Sequence, residues 1–165
     1  MNIQRIARHV LSTARQVRRA FPQSTLAAIE QAIRASENAH AGEIRFAVEG
    51  GIEGLALLRG QSARERALEV FAELRVWDTE QNNGLLIYLL LADRAVEIVA
   101  DRGIDRLVGA REWSRICQQM EAAFGQSNFE AGVVTGVQEV SHHLVQYFPA
   151  HGPNTNELPD QPVLL

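Results

Sequence analysis

The sequence predicts an α/β protein, a three-layer α/β/α sandwich with a small mixed sheet and additional N-terminal helices. Three observations carry this reading. Leu85–Leu91 is apolar at nearly every position, the pattern of a strand covered on both faces. Ser62 and Glu65 form an S-x-x-E capping box ahead of a helix, and that helix joins the alternating run Glu43 to Glu49 to the apolar strand. A tight turn at Ala92-Asp93-Arg94 then returns the chain as Ala95–Ala100. A strand, a helix and a second strand in one sheet form a right-handed crossover with parallel strands. The short turn makes the third strand antiparallel to the second.

Composition narrows the function classes. A chain of 165 residues is expected to be one domain with a core of its own. No apolar run approaches the ~18 residues of a membrane span. Arg5, Arg8 and Arg15 interrupt what would be the apolar core of a signal peptide. The single cysteine, Cys117, excludes an internal disulfide framework and fits a reducing compartment. All 16 basic residues are Arg, which genome composition explains. Arg5, Arg8, Arg15, Arg18 and Arg19 precede the first acid, Glu30, so a basic arm leads into an acidic body. The net charge of −4 argues against nucleic acid as the main partner.

Taken in order, Ile3, Ile6, Val10, Ala14, Val17 and Phe21 recur at helical spacing and predict one amphipathic helix ending near Pro22. Two readings stay open for it. It docks on the body by its apolar face, or it is a basic helix for an anionic membrane or a partner groove. Ser24 is expected to cap a second helix, Thr25 to Glu37. In Glu43–Glu49, Ile44, Phe46 and Val48 point one way and Arg45 and Ala47 the other, so one face is well buried. Ile52 to Gly60 reads as an irregular connection. Asp93-Arg94 reads as a solvated hairpin turn, and Asp101-Arg102-Gly103 as a closing polar turn. Trp113, Ile116, Cys117, Met120 and Phe124 mark a helix over Glu112–Phe124, with Cys117 as inert core. Ser127 and Glu130 predict a capping box for a final helix from Phe129 to Phe148. Four prolines from Pro149 onward predict a flexible tail. The expected division is N-terminal helices over 1–37, an α/β domain over 38–148 and the tail over 149–165.

This topology gathers three polar loops on one edge of the sheet, where strands one and two start and strand three ends. They bring His40, Glu43, Asp78, Thr79, Glu80, Asn82, Asn83, Asp101, Arg102 and Asp105. Carboxylate and amide oxygens suit a hard cation such as Ca²⁺ or Mg²⁺, and Asp78, Asn82, Asp101 and Asp105 are the expected metal ligands. Asp, Asn and Gly also form turns for purely local reasons. His142 and His143 are adjacent on a helix and point different ways. No phosphate loop, H-E-x-x-H or G-x-S-x-G motif occurs, and no catalytic residue is identified.

The order of several short segments resembles the TPM domain family. The resemblance runs from about His40 to Phe148. It rests on Gly42–Val48, Leu74-Arg75-Val76-Trp77, Asn83-Gly84-Leu85-Leu86-Ile87, Asp93-Arg94-Ala95-Val96-Glu97-Ile98, Gly103-Ile104-Asp105 and Phe129-Glu130-Ala131-Gly132. It implies an α/β/α sandwich and associates the chain with acid phosphatase activity, divalent-cation binding and the assembly or repair of membrane complexes. Asn82 stands where the family's Asp-Asn-Gly motif has its acid, Asp105 replaces a usual Glu, and no acid occurs near Gly109-Ala110. Fewer anionic oxygens weaken cation binding. The expected function is therefore a non-catalytic TPM-like binding or scaffold module that assists a membrane-associated complex through a protein partner. The alternative is a divalent-cation-dependent, phosphatase-like hydrolase with a degenerate acidic site. A cytoplasmic member, peripheral to the inner membrane face, is expected.

Overall fold

The computed structural model describes residues 3–12, 14–153 and 155–165. Among them the chain forms α1 (Ile3–Leu11), α2 (Ala14–Ala20), α3 (Gln23–Ser36), β1 (Glu43–Glu49), α4 (Gly54–Leu58) and α5 (Ala63–Glu73). There follow β2 (Gly84–Leu90), β3 (Ala95–Ala100), α6 (Arg102–Val108), α7 (Ala110–Gly125), α8 (Phe129–Tyr147) and β4 (Val163–Leu164). The strand order is β3-β2-β1-β4. β1 and β2 are parallel from Glu43 opposite Gly84 to Glu49 opposite Leu90, and β3 runs antiparallel to β2. These directions are the expected ones.

β2 is buried at every position. Leu85, Ile87 and Leu89 join Ile44, Phe46 and Val48 in one core, with Val17 of α2, Ile29 and Ile33 of α3, and the inner faces of α7 and α8. Leu86, Tyr88 and Leu90 face the opposite layer, with Leu57 of α4 and Ala67 and Val70 of α5. Two layers of helix thus enclose the sheet, as a strand without a polar side requires. The Ser62–Glu65 capping box is formed in full.

Several local expectations are corrected. The single N-terminal helix is two helices. Ile6 of α1 packs in the α4–α5 layer, whereas Val17 of α2 lies in the α3–α8 layer, and one straight helix cannot reach both sides of a sheet. The chain crosses over the end of β1 at Gly50 and Gly51. A Cβ at Gly51 would meet the His9 carbonyl oxygen at 2.9 Å, and one at Gly50 would meet the Ser12 carbonyl oxygen at 3.2 Å. α3 begins after Pro22 rather than at a Ser24 cap. Residues 54–58 are helical rather than irregular, and the closing turn opens α6, capped by Asp101. The Ser127–Glu130 box does not form: the residue before α8 is Asn128, and Glu130 accepts a hydrogen bond from Thr25 Oγ1 instead.

Asp93 is not solvated. Its carboxylate accepts from Arg5 Nε and Nη2 at 3.0 and 2.8 Å and lies 3.0 Å from His9 Nε2. The Ile52 N–H donates to His9 Nδ1, so Nε2 carries the proton and donates to Asp93. α1 therefore docks by its polar side, with His9 buried, and leaves apolar residues outside. The tail is also placed. Leu158 and Asp160 are buried, and Val163–Leu164 pairs in parallel with β1. A tail over this side explains why both faces of β1 are buried, rather than one.

The outward groups of β3, at the far edge of the sheet, are met by side chains. Glu121 accepts from the Val96 N–H, the Cys117 sulfur from the Ile98 N–H, and Arg64 donates to the Ile98 carbonyl. Burial pushes the Cys117 thiol up to about 12, in keeping with an unreactive core cysteine.

Replacing Asp93 by Ala strands the buried His9 Nε2 donor and leaves the Arg5 guanidinium without its carboxylate. A loss of about 1–3 kcal/mol in unfolding free energy is expected. Urea unfolding measures it, and faster amide exchange in α1 should accompany it.

Candidate functional site

The predicted edge is real as a place in the fold, because β1 and β2 start there and β3 ends there. Asn83 holds it together. Its N–H donates to Thr79 Oγ1, its Nδ2 to the Ala41 carbonyl, and its own carbonyl accepts from the Glu43 N–H. Asn82 turns with φ of 52°, the left-handed region that asparagine tolerates. Its carbonyl accepts from the Gly103 N–H at 2.9 Å. The approach is so close that a Cβ on Gly103 would overlap that oxygen.

The predicted residues divide at this edge. Asn82 and Asp101 come together at the start of α6, where the Asn82 carbonyl accepts from the Gly103 N–H and the Gly84 carbonyl from the Asp101 N–H, whereas the Asn83 side chain turns to the Ala41 carbonyl. Asp101 Oδ1 accepts from the Arg102 N–H at 2.7 Å, while Oδ2 is buried without a hydrogen-bond partner, as is Asn83 Oδ1. Asp105 accepts from Trp113 Nε1 at 3.0 Å. Asp78, Glu80 and Arg102 are exposed, and Thr79 is buried. His40 is buried with Nδ1 at 3.1 Å from the Gly42 carbonyl, and burial lowers it to about 4. Among the described residues, no group of three or more His, Cys, Asp or Glu is arranged to hold a metal ion.

Glu43 belongs to a second polar group, formed under the tail. Its two carboxylate oxygens accept from the Glu157 and Leu158 N–H groups at 3.2 and 3.1 Å. Arg45 donates to the Pro159 and Gln161 carbonyls. Asp160 accepts from Arg34 Nε and Asn156 Nδ2. Glu37, at the end of α3, accepts from the Ile44 N–H. Burial pushes the Glu37 carboxyl up to about 8 and Glu43 up to about 7, with Asp160 adding to both, and it lowers Arg45.

The predicted basic set also divides. Arg5 is committed to Asp93 and the Gln61 carbonyl, and Arg8 lies 3.8 Å from Asp93. Arg15, Arg18 and Arg19 are exposed on α2. α1 touches α4. On these two helices Ile3, Val10, Leu11, Leu55 and Leu58 are each between 55 and 76 % exposed. Among the described residues no helix is long and apolar enough to cross a membrane.

His9, Asp93, Glu37, Arg45 and Asp160 were not among the sequence candidates. One signal was present for them: charged Glu43 and Arg45 alternate within a strand that has no room for a solvated face. The tail groups that Glu43 and Arg45 bond lie 114 to 116 residues away, and the Asp93 partners Arg5 and His9 lie 88 and 84 away, so neither pairing leaves a local trace.

A mixed β3-β2-β1-β4 sheet between two helical layers, with an Asn-Gly turn opening its most buried strand, defines the class. The chain belongs to the TPM domain family, whose model matches residues 16–143. Among solved structures, it is similar to the BA42 protein of the psychrophilic bacterium Bizionia argentinensis. The identity is 31%, covering 86% of this chain and 92% of that one, with a TM-score of 0.75. The N-terminal domain of a protein from P. gingivalis shares the fold, at 21% identity over 79% of this chain and 82% of that one, with a TM-score of 0.61. No curated protein matches the chain.

The acids under the tail set a pH dependence. Glu37 and Glu43 hold protons in the folded state at pH values where the unfolded chain, titrating near 4.5, has released them. The native state binds more protons, so stability falls as pH rises. Their contribution is full below about 4.5 and is lost through about 7 to 8. Denaturant midpoints across that range should decline, and Glu37→Gln should flatten the decline.

Proposed function

We propose that this chain is a non-catalytic TPM-like binding module that works at an anionic membrane surface, in service of a membrane-associated protein complex. The observation that carries the reading is the outward presentation of α1. Its polar side is pinned to Asp93, so Val10 and Leu11 stay exposed beside Leu55 and Leu58 of α4. Arg8 supplies exposed positive charge on α1 itself, and Arg15, Arg18 and Arg19 are exposed on α2, which packs against the other helical layer. Exposed aliphatics with arginines are the chemistry of interfacial binding. The cytoplasmic leaflet carries the matching negative charge.

Flotation with phosphatidylcholine vesicles, with and without phosphatidylglycerol, tests this. Binding is expected only with the anionic lipid and should weaken with salt. Each of Val10→Asp and Leu58→Asp should reduce it about tenfold or more, since burying one such side chain contributes about 1.5–3 kcal/mol. Absence of flotation with either vesicle would sink the reading.

A second reading is favoured by the two buried, unpartnered oxygens, Asp101 Oδ2 and Asn83 Oδ1. A buried, unpartnered carboxylate or amide oxygen is a ligand type that a hard cation such as Ca²⁺ or Mg²⁺ accepts, with backbone carbonyls completing its shell. This site would serve a phosphatase-like activity or a purely structural ion. Thermal unfolding in EDTA, Ca²⁺, Mg²⁺ and Mn²⁺ distinguishes it. An ion at ~100 times its dissociation constant adds about 2.7 kcal/mol, and Asp101→Ala should abolish the rise. An unchanged midpoint in every ion removes this reading.

A further inference from the structure

We propose that the outer flank of β1, built around Glu43 and Arg45, is a docking groove for an extended peptide segment of a partner protein, and that residues 156–165 occupy it in cis as an exchangeable stand-in. It uses a different surface from α1 and does not depend on the membrane reading.

The first argument is what the groove recognises. Glu43 spends both carboxylate oxygens on successive main-chain N–H groups, of Glu157 and Leu158. Arg45 spends one nitrogen on two main-chain carbonyls, of Pro159 and Gln161. Farther along, the Leu165 N–H donates to the Val48 carbonyl, and Ala47 and Val48 pair with Val163 and Leu164. These contacts read backbone, which any extended segment provides. Strand addition derives affinity from main-chain bonds and selectivity from pockets for alternate side chains.

The second argument is cost. Glu43 and Arg45 are each more than nine-tenths buried, and their hydrogen bonds go to the tail rather than to each other. Burying two ionisable side chains is expensive, whether as a charge or as a carboxyl held protonated, and apolar side chains would cover a strand flank with less penalty. A purely structural strap has no need of them. The Arg45 Nε–H is moreover buried without a partner, so the present occupant does not use every donor that the groove offers.

The third argument is the selectivity that the cis segment displays. Leu158 enters the apolar cluster of Leu57, Val70 and Val76. Two residues on, Asp160 meets Arg34 Nε at 3.2 Å and lies near Arg45. The fitting partner segment carries an apolar residue and, two positions later, a carboxylate, held extended by flanking prolines. The cis segment makes only a two-residue strand. Gly152 precedes it with φ of 124°, a backbone conformation that favours glycine.

A tethered occupant competes at millimolar effective concentration, so the test loosens it without removing it. The probe is a fluorescein-labelled peptide with the sequence of residues 155–165, measured by anisotropy against the full chain. Leu158→Ser in the chain should raise affinity for the peptide at least tenfold. Adding Glu43→Gln and Arg45→Gln should remove that gain. A peptide with Asn at the Asp160 position should bind about tenfold more weakly, the scale of a charged hydrogen bond. With the unaltered chain, excess unlabelled peptide should accelerate exchange of the Leu158 and Leu165 amides, a readout that needs no variant. No peptide binding by a folded Leu158→Ser chain, together with unchanged amide exchange, would make the tail a fixed strap and overturn the proposal. A dimer of the unaltered chain by light scattering, dissolved by the peptide, would assign the groove to a second copy instead and overturn the partner assignment.

Discussion

The complete burial of β2 is the constraint from which the rest of the molecule follows. A strand with no polar side must be covered twice, and its neighbours must share the work. β1 meets one layer with Ile44, Phe46 and Val48. Toward the other layer it offers Glu43, Arg45, Ala47 and Glu49. That polar side is tolerated only because each charge is answered. Glu49 accepts from Tyr88 Oη at 2.6 Å and pairs with Arg66 at 2.9 Å, while Glu43 and Arg45 bond to the tail. The hydrophobic demand of one strand thus determines where the buried charges lie on the next.

The two ends of the sheet use polar residues differently. At the end where β1 and β2 start, amides and carboxylates fasten loops to strand termini, and Asn83 satisfies three backbone or side-chain partners at once. At the opposite end, Asp93 reaches across to an entirely different segment and inverts the orientation of α1. An amphipathic helix normally buries its apolar stripe. Here a carboxylate with a guanidinium and an imidazole anchors the helix, so that Ile6 packs inward while Ile3, Val10 and Leu11 stay exposed.

Much of the architecture was legible because it is written locally. The alternation in Glu43–Glu49, the unbroken apolar run of β2, the hairpin turn and the Ser62 capping box each express their geometry within a few residues. What escaped depends on distant contacts. The periodicity from Ile3 to Phe21 is genuine, yet it cannot reveal that Ile6 and Val17 serve opposite layers of one sheet. Prolines from 149 onward signal irregular backbone, but irregular backbone can be firmly placed, as the buried Leu158 and Asp160 are. Leu158, Val163 and Leu164 are the apolar residues that signal this placement. At the candidate site, the sequence located the edge but not the division of labour within it. Asp105 looks like a ligand by type, whereas its oxygen is taken by Trp113 of the next helix. Asp93 looks like a turn residue by position, whereas it is a structural anchor.

The side chains that meet the outward backbone of β3 have a consequence for assembly. Glu121, Cys117 and Arg64 occupy the places where another strand's amides and carbonyls would register. The β4 flank has no such guard among the described residues. A sheet sealed on one margin and open on the other cannot propagate, because a newcomer that joins by the open margin presents only its own sealed one to the next. Edge-to-edge association therefore ends with a pair. Side chains that occupy an edge strand's backbone groups are one of the ways in which sheets avoid unwanted pairing, and here a core cysteine contributes to it.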